Sequence, residues 1–214
     1  MKNLLQSLLF ISLALSLSFC QPATESGKRK VAIFAKKTLT SIYILPLGDV
    51  SPKVLLDIKN GLTQFYKITP IIENAVPITA DLLAKSKTRY EANKILSKFK
   101  SGKNLLIITE KDIAIKYKKH NADEWGIMGL GYRPGKTCVV STFRIKRNAD
   151  EALFKERLTK ICIHEIGHNL GLDHCKADPT CLMNDANGTI SQVDREGMYF
   201  CKKCSKQVEG LYKH

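Results

Sequence analysis

Residues 164–175, HEIGHNLGLDHC, combine three histidines with one glutamate at a spacing that suits metal chemistry. In a helix, His164 and His168 lie four positions apart, so their side chains share one face with about 6 Å between them. Two imidazoles placed in this way can bind one zinc ion. Glu165 is adjacent to the first histidine, near the metal but not directed at it. We predict a zinc site in which Glu165 acts as the general base on a zinc-activated water.

His174 can be a third ligand only if the chain reverses direction after the helix. In a continuous helix it would lie about 15 Å beyond His164 and point away from it. Gly171 stands between them, and glycine readily adopts the left-handed conformation that ends a helix and turns the chain. We therefore expect the helix to end near Gly171, and we predict that His164, His168 and His174 bind the catalytic zinc.

The first two ligands need a long helix to carry them, and residues 150–170 have the pattern of one. Its other face repeats apolar side chains at every fourth position: Leu158, Cys162, Ile166 and Leu170. We expect this face to pack against the core. Cys162 is therefore predicted to be a buried thiol and not a metal ligand.

Strand-like and helix-like segments alternate before this helix. Three segments have strand composition: SIYILPL at 41–47, LLIIT at 105–109 and TCVVSTFRI at 137–145. Helical patterns begin at Ser51-Pro52, extend over 80–99, and resume at a capping-box-like Ser191-x-x-Asp194. The predicted fold class is α/β grading into α+β. It comprises an N-terminal mixed sheet with helices, an active-site helix, and a C-terminal subdomain of helices and loops.

Four cysteines after the histidines form a second candidate site: Cys175, Cys181, Cys201 and Cys204. Four thiolates bind zinc tetrahedrally in closed, structural sites. Two disulfides are the alternative in an oxidising compartment. Zinc is favoured because a C-x-x-C pair closes a short, strained ring as a disulfide but chelates a metal readily.

The N-terminus has the pattern of an export signal. Lys2 precedes an apolar, uncharged run, LLQSLLFISLALSLSF, which is too short to favour a permanent transmembrane helix. The run ends in LSFC, which resembles a bacterial lipobox with Phe19 where a small residue is usual. Cleavage before Cys20 would leave its thiol for lipidation and anchor the protein to the cell envelope, and plain secretion is the alternative. We expect a signal peptide over 1–19 and a tether over 20–30.

One folded domain is expected over 31–214, with an N-terminal lobe over 31–170 and a C-terminal lobe over 171–214. The formal net charge of the whole chain is +14 at neutral pH. A positive charge of this size can bind nucleic acid, but an exported protein rarely encounters nucleic acid. We therefore expect solvated surface lysine, some attraction to anionic lipids near the anchor, and no nucleic-acid partner. The expected partners are a peptide or protein substrate and the membrane, and the protein is expected to be a monomer.

Together these motifs resemble the archaemetzincin family. HEIGHNLGLDHC is followed by Cys181-x-Met183 and, after seventeen intervening residues, by Cys201-x-x-Cys204. Upstream, the family's helix and strands before the motif are similar to three segments: KTRYEANKILSKF, LLIITEKDIAI and WGIMGLGYRPGKTCVVSTFRI. The resemblance covers most of residues 40–205.

The resemblance implies a zincin fold of the metzincin type, with zinc on the three histidines and Glu165 as base. It also implies that Met183 is the Met-turn residue beneath the site and that the four cysteines hold a second, structural zinc. By the same analogy, the substrate would lie along TCVVSTFRI. Cys175 and Cys181 are separated by five residues where the family usually has four, so we expect a slightly larger turn around Pro179.

The expected activity is zinc-dependent hydrolysis of peptide bonds. Zinc activates a water and stabilises the oxyanion, while Glu165 accepts the proton and delivers it to the leaving amine. One alternative is a lipid-anchored zinc protein without turnover, which would not need Glu165. Another is a cysteine-zinc module that binds nucleic acid through the basic surface, against which the export signal argues.

Overall fold

The computed structural model of the protein describes residues 38–117 and 122–212, which fall within one compact unit. The predicted signal peptide over 1–19, the lipidation site at Cys20 and the tether over 20–30 lie outside the described residues. Within the described part of the chain, no helix is both long enough and apolar enough to cross a membrane.

The described residues form eight strands and six α-helices. The strands are β1 (Tyr43–Pro46), β2 (Ile71–Ile72), β3 (Tyr90–Glu91), β4 (Leu105–Thr109), β5 (Ile113–Tyr117), β6 (Ala122–Ile127), β7 (Gly129–Gly131) and β8 (Thr137–Ser141). The helices are α1 (Pro52–Tyr66), α2 (Ala92–Lys98), α3 (Thr142–Ile145), α4 (Glu151–Asn169), α5 (Ile190–Arg195) and α6 (Lys202–Val208).

The main sheet has five strands in the order β2-β1-β4-β8-β7. Its first four strands are parallel, whereas β7 runs antiparallel to β8 and forms the edge. A second, three-stranded sheet has the order β3-β5-β6. The mixed α/β architecture predicted from the sequence is confirmed, with α5, α6 and long loops making up the C-terminal part.

Helices cover both faces of the main sheet, which explains why β4 and β8 are continuously apolar or small. Along β4, Leu106 and Ile108 join the core cluster that contains α1 and α4. The alternate residues Leu105 and Ile107 join a second cluster with α2. The sheet is therefore sandwiched, with α4 fixed against one face near the β7 edge.

Two of the predicted helix starts are confirmed by the structure. α1 begins at Pro52, in the first turn, where proline is tolerated. α4 begins after Asp150, whose carboxylate accepts a hydrogen bond from the Leu153 N–H at 2.8 Å. The helix that carries the motif therefore has a defined start as well as a defined end.

The helix predicted over 80–99 is wrong for most of that range. The chain makes a short 3₁₀ turn at Ala80–Leu82, and only α2 is α-helical. Between them it folds back on itself, because the Ala84 N–H donates to the Arg89 carbonyl at 2.8 Å. Leu82 is nevertheless buried in the cluster that contains α2. The apolar spacing reflected a shared core and not one continuous helix.

The capping box predicted at Ser191-x-x-Asp194 is also wrong. α5 has Thr189 at its N-cap, so Ser191 lies inside the helix. The Asp194 carboxylate instead accepts two hydrogen bonds from the Arg157 guanidinium on α4, at 2.6 and 2.7 Å. This ion pair fixes α5 alongside the helix that carries the motif.

Candidate active site and metal centres

Three imidazoles meet at the end of α4. His164 and His168 project from the helix, and His174 returns to them after the following turn. One ring nitrogen of each lies within 4.8 Å of the others. Ring centroids are 4.6 Å apart for His164 and His168, and 5.0 and 5.5 Å apart for the pairs with His174. The three side chains are therefore close enough to bind one ion.

The turn after α4 has the hydrogen bonds of a left-handed helix end. Gly171 has a φ of +102°. Its N–H donates to the His168 carbonyl at 2.9 Å, and the Leu172 N–H donates to the Gly167 carbonyl at 3.0 Å. These two bonds form a Schellman motif, which satisfies the last helical carbonyls while the chain reverses. Leu172 is then buried in the core, which holds the reversed chain in place.

Each imidazole is oriented through its Nδ1 atom. His164 Nδ1 lies 2.7 Å from the Leu182 carbonyl and His168 Nδ1 lies 2.8 Å from the Leu172 carbonyl. His174 Nδ1 lies 3.5 Å from a carboxylate oxygen of Asp185. With Nδ1 as the donor in His164 and His168, the Nε2 lone pair of each of these two rings is left to bind a metal.

The protonation of the rings also fits a metal site. Burial lowers the pKa of His164 to about 3, and it lowers the pKa of His168 as well. Both rings are therefore neutral at physiological pH, the form that coordinates a metal. Three neutral imidazoles are a common zinc-binding set that leaves one coordination position open.

Glu165 lies between α4 and the edge strand β7. Its side chain is only 6% exposed, and burial raises its pKa to about 8. A Cβ on Gly129 would come within 2.5 Å of Glu165 Oε1, and a Cβ on Gly131 within 2.7 Å of the Glu165 carbonyl oxygen. Glycine at these two positions lets β7 approach the carboxylate directly. A cation on the neighbouring imidazoles would favour the ionised carboxylate.

Met183 packs against the turn of α4 between the two helical histidines. It is fully buried, and a Cβ on Gly167 would lie 2.5 Å from its sulfur. The Met183 carbonyl accepts a hydrogen bond from the Cys175 N–H at 2.7 Å. Gly167 therefore leaves room for the Met183 thioether to pack against this turn of α4.

The four C-terminal cysteines are brought together in a second cluster: Cys175, Cys181, Cys201 and Cys204. All are buried, and their sulfurs lie within 4.8 Å of one another. Tetrahedral zinc with Zn–S bonds of about 2.3 Å places sulfurs about 3.8 Å apart. The measured distance between the sulfurs of Cys175 and Cys201 is 3.6 Å. The longer turn around Pro179 does not prevent Cys181 from joining the set.

Main-chain N–H groups point at these sulfurs. The Cys201 N–H lies 3.3 Å from Cys181 Sγ, and the Ala177 N–H lies 3.4 Å from Cys175 Sγ. Such donors stabilise negative charge on sulfur, as a thiolate ligand requires. The donor set therefore fits a closed, structural zinc site.

One cavity of about 390 Å³ connects the imidazoles with their surroundings. β7 and the end of β6 line one side, and the segment from Asn184 to Glu196 lines the other. Glu165 and the three histidines face it between these walls. The site is thus an open cleft, which suits an extended ligand.

The strand proposed from the sequence to bind the substrate is wrong. TCVVSTFRI contributes β8, which is paired on both sides by β4 and β7, and its last four residues form α3. Since β8 has no free edge, it cannot pair with a peptide. The edge next to the site belongs to β7, Gly129–Gly131.

Several site residues were not identified from the sequence. Gly129 and Gly131 are in contact with Glu165, and Asp185 faces His174. The Asn169 side-chain amide donates to two carbonyls of the β7–β8 hairpin, those of Tyr132 and Thr137, at 2.9 and 3.1 Å. The G-x-G spacing inside a strand was a usable signal, because glycine in a strand marks a close approach by another group.

Comparison with known proteins matches residues 46–210 to the model of Peptidase family M54. The archaemetzincin of Archaeoglobus fulgidus is 33% identical over 167 residues, which cover 78% of this chain and 98% of that protein. The archaemetzincin of Haloarcula marismortui is 30% identical over 178 residues, with the same coverage of each chain.

Solved structures of similar proteins have the same fold. The crystal structure of the Archaeoglobus fulgidus archaemetzincin, complexed with malonate, has a TM-score of 0.69 at 30% identity and covers 78% of this chain and 99% of that one. The archaemetzincin of Methanopyrus kandleri has a TM-score of 0.65 at 22% identity, with coverage of 85% and 98%. The similarity therefore extends over nearly the whole length of both relatives and over about four fifths of this chain.

Proposed function

Because this chain belongs to peptidase family M54, the archaemetzincins, and is a zinc metallopeptidase, we propose that it cleaves peptide bonds in the cleft between β7 and the Asn184–Glu196 segment. The observation that carries this proposal is one cavity lined by three converging imidazoles and a buried carboxylate. His164, His168 and His174 hold the ion, and Glu165 moves the proton.

Zinc bound by the three imidazoles supplies a Lewis acid that lowers the pKa of water and polarises the scissile carbonyl. The carbonyls of Leu182 and Leu172 orient the imidazoles of His164 and His168. The Asp185 carboxylate faces the imidazole of His174. The protein therefore fixes the ligands before the substrate arrives.

Glu165 accepts a proton on its carboxylate as the water oxygen attacks the scissile carbonyl carbon. It then donates that proton to the amide nitrogen as the carbon–nitrogen bond breaks, so the carboxylate ends the cycle ionised. Its position against β7, with glycines on that strand, supports this role, because the same strand borders the substrate cleft. Burial of Glu165 keeps bulk water away from its carboxylate, which favours direct proton transfer between Glu165 and the reacting groups.

The substrate lies extended along the free edge of β7. Met128 and Tyr132 direct their main-chain groups at β8, through hydrogen bonds of 2.8 Å with Ser141 and 3.2 Å with Thr137. In an antiparallel pair these directions alternate, so the N–H and C=O groups of Gly129 and Gly131 point away from β8. A peptide can add to this edge as a further strand.

The four cysteines hold a second, structural zinc ion. Their buried sulfurs, the 3.6 Å separation and the N–H donors support this assignment. The cluster connects the loop after His174 to the N-terminus of α6, and Met183 lies in that loop. The structural ion therefore stabilises the segment that supports the imidazoles.

The LSFC sequence at 17–20 supports export and attachment to the membrane through a lipid on Cys20. This proposal depends on the sequence alone. It places the peptidase at the cell envelope, with peptides or exported proteins as substrates.

Turnover is tested by replacing the base while keeping the ligands. Glu165→Gln should retain both zinc ions and lower the rate of peptide cleavage about 10²–10⁴-fold, the usual contribution of a general base. His168→Ala should lose one zinc ion together with activity. Metal analysis and a peptide-library cleavage assay measure these effects. A wild-type protein that contains zinc but cleaves no peptide would instead support the zinc-binding protein without turnover.

A further inference from the structure

The wall of the cavity formed by α5 contains one buried carboxyl group that the proposed reaction does not use. Glu196 follows α5 directly and is 5% exposed, yet it lines the cavity with His164. Ile161 of α4 and Val193 of α5 line the same cavity, and the Glu196 N–H donates to the Val193 carbonyl at 3.3 Å. Since Ile161 lies three residues before His164 on one helical face, this wall is adjacent to the proposed catalytic zinc.

Glu196 has little to stabilise a negative charge. Among the described residues, the Glu196 carboxylate accepts one side-chain hydrogen bond, from the Gln192 amide at 3.4 Å. It forms no ion pair with any described side chain. Burial raises its pKa to about 7, against the smaller opposing effects of Gln192, Lys160 and Arg195. A buried carboxylate without a cation is unfavourable unless a partner supplies one.

The nearest cationic side chains are engaged with other groups. Lys160 is 2% exposed, and its ammonium pairs with Glu156 at 2.6 Å and with the Val193 carbonyl at 3.1 Å. The Arg195 guanidinium donates to the Gln192 side chain at 2.8 Å. Neither is free to turn toward Glu196 without breaking these contacts.

The approach to Glu196 is apolar. The apolar side chains of Ile161 and Val193 line the same cavity, as does that of Met128. A lysine or arginine side chain has a matching form, with an apolar stem and a charged end. The stem would pack between the two apolar residues while the charged end reached the carboxylate.

We propose that Glu196 is a specificity-determining residue that selects peptides with a lysine or arginine next to the scissile bond. This inference rests on the proposed function, because it assigns the substrate class of the same cleft. Glu196 does not touch the reacting atoms, so it acts on substrate choice and not on the chemical step.

The test separates binding from cleavage. Peptide binding is measured with zinc-loaded Glu165→Gln protein. Each pair of peptides differs at one position, which carries lysine in one peptide and norleucine, an uncharged residue of similar length, in the other. Every position is tested in turn. At one position, the lysine peptide should bind at least about tenfold more tightly than the norleucine peptide, because its ammonium can form a charge-assisted hydrogen bond with Glu196. In the Glu165→Gln, Glu196→Gln double variant this ratio should fall to near one. Glu151→Gln removes a charge on the exposed start of α4 and serves as the matched control.

Kinetics on protein with Glu165 intact give the second readout. The kcat/KM ratio of the lysine peptide over the norleucine peptide should fall in Glu196→Gln and should keep its wild-type value in Glu151→Gln. Discrimination in binding without any cleavage supports Glu196 and contradicts the peptidase mechanism. Equal binding of lysine and norleucine at every position, or an unchanged ratio in a folded Glu196→Gln variant, overturns the assignment of Glu196.

Discussion

Single residues at the site are positioned by very close approaches, and Gly129 is the clearest case. Gly129→Ala would add a methyl group 2.5 Å from Glu165 Oε1. We expect kcat/KM to fall about tenfold or more, because relieving such overpacking costs about 1–3 kcal/mol and shifts the base. Zinc content should be unchanged.

Gly102→Ala is the control for that substitution, because nothing lies within 4 Å of its added Cβ. It should leave kcat/KM within experimental error. A Gly129→Ala enzyme with wild-type kinetics would show that β7 can move away from Glu165 at no cost.

Glu196 gives a prediction about stability that does not depend on substrate. Burial raises its pKa from 4.5 to about 7. A carboxyl that holds its proton more tightly in the folded state contributes stability that is complete below about pH 4.5 and is lost as the pH rises through about 7. Glu196→Gln cannot ionise. The variant should therefore gain stability relative to wild type between pH 4.5 and 8, by about 2 kcal/mol once partial solvent screening is allowed for.

Urea unfolding of both zinc-loaded proteins at several pH values measures this difference. The comparison cancels the titration of all other groups, which the two proteins share. If the two stability curves run parallel from pH 4.5 to 8, Glu196 ionises at its ordinary pH in the folded protein.

At the scale of elements, α4 is held from three directions. At its end Asn169 donates to the β7–β8 hairpin, Arg157 forms an ion pair with Asp194 of α5, and Met183 packs against Gly167. These contacts join the sheet to the C-terminal segment through one helix. The helix thus presents its ligands to a cleft whose two walls come from distant parts of the chain.

The cysteine cluster is expected to stabilise that C-terminal segment. Cys201→Ala should lower the zinc content from two ions to one and lower Tm by at least about 5 °C, because binding energy of a structural zinc is folding energy. Cys162→Ala is the matched control, since Cys162 is buried on α4 outside both ligand sets. It should keep both ions. Equal zinc content in the two variants would contradict a second zinc at the cysteines.

At the scale of the whole molecule, the prediction concerns attachment. Expressed in a bacterium, the protein should partition into detergent and carry a diacylglyceryl mass on Cys20. Cys20→Ser should remain unprocessed or be released, with its peptidase activity intact in the folded domain. A soluble wild-type protein with a different mature N-terminus would favour plain secretion.

The family, the helix over 150–170 and the two clusters of histidine and cysteine side chains were predictable from sequence, because the patterns that indicate them are local. A four-residue spacing determines which side chains share a helical face, and a glycine at 171 determines where that helix can end. The family resemblance added the role expected of Met183.

Only the tertiary structure decided which strand borders the site and which groups meet across it. The sequence analysis assigned the substrate to TCVVSTFRI, but strand order depends on long-range pairing, and that pairing left β7 at the edge. The prediction of a helix over 80–99 was wrong for a related reason. The spacing of apolar residues indicates which side chains are buried but does not determine the path of the chain. Glu196 lines one cavity with Ile161, 35 positions away, and Gly129 lies against Glu165, 36 positions away. Local sequence patterns do not predict such contacts, because the contacts form only when separate elements pack together.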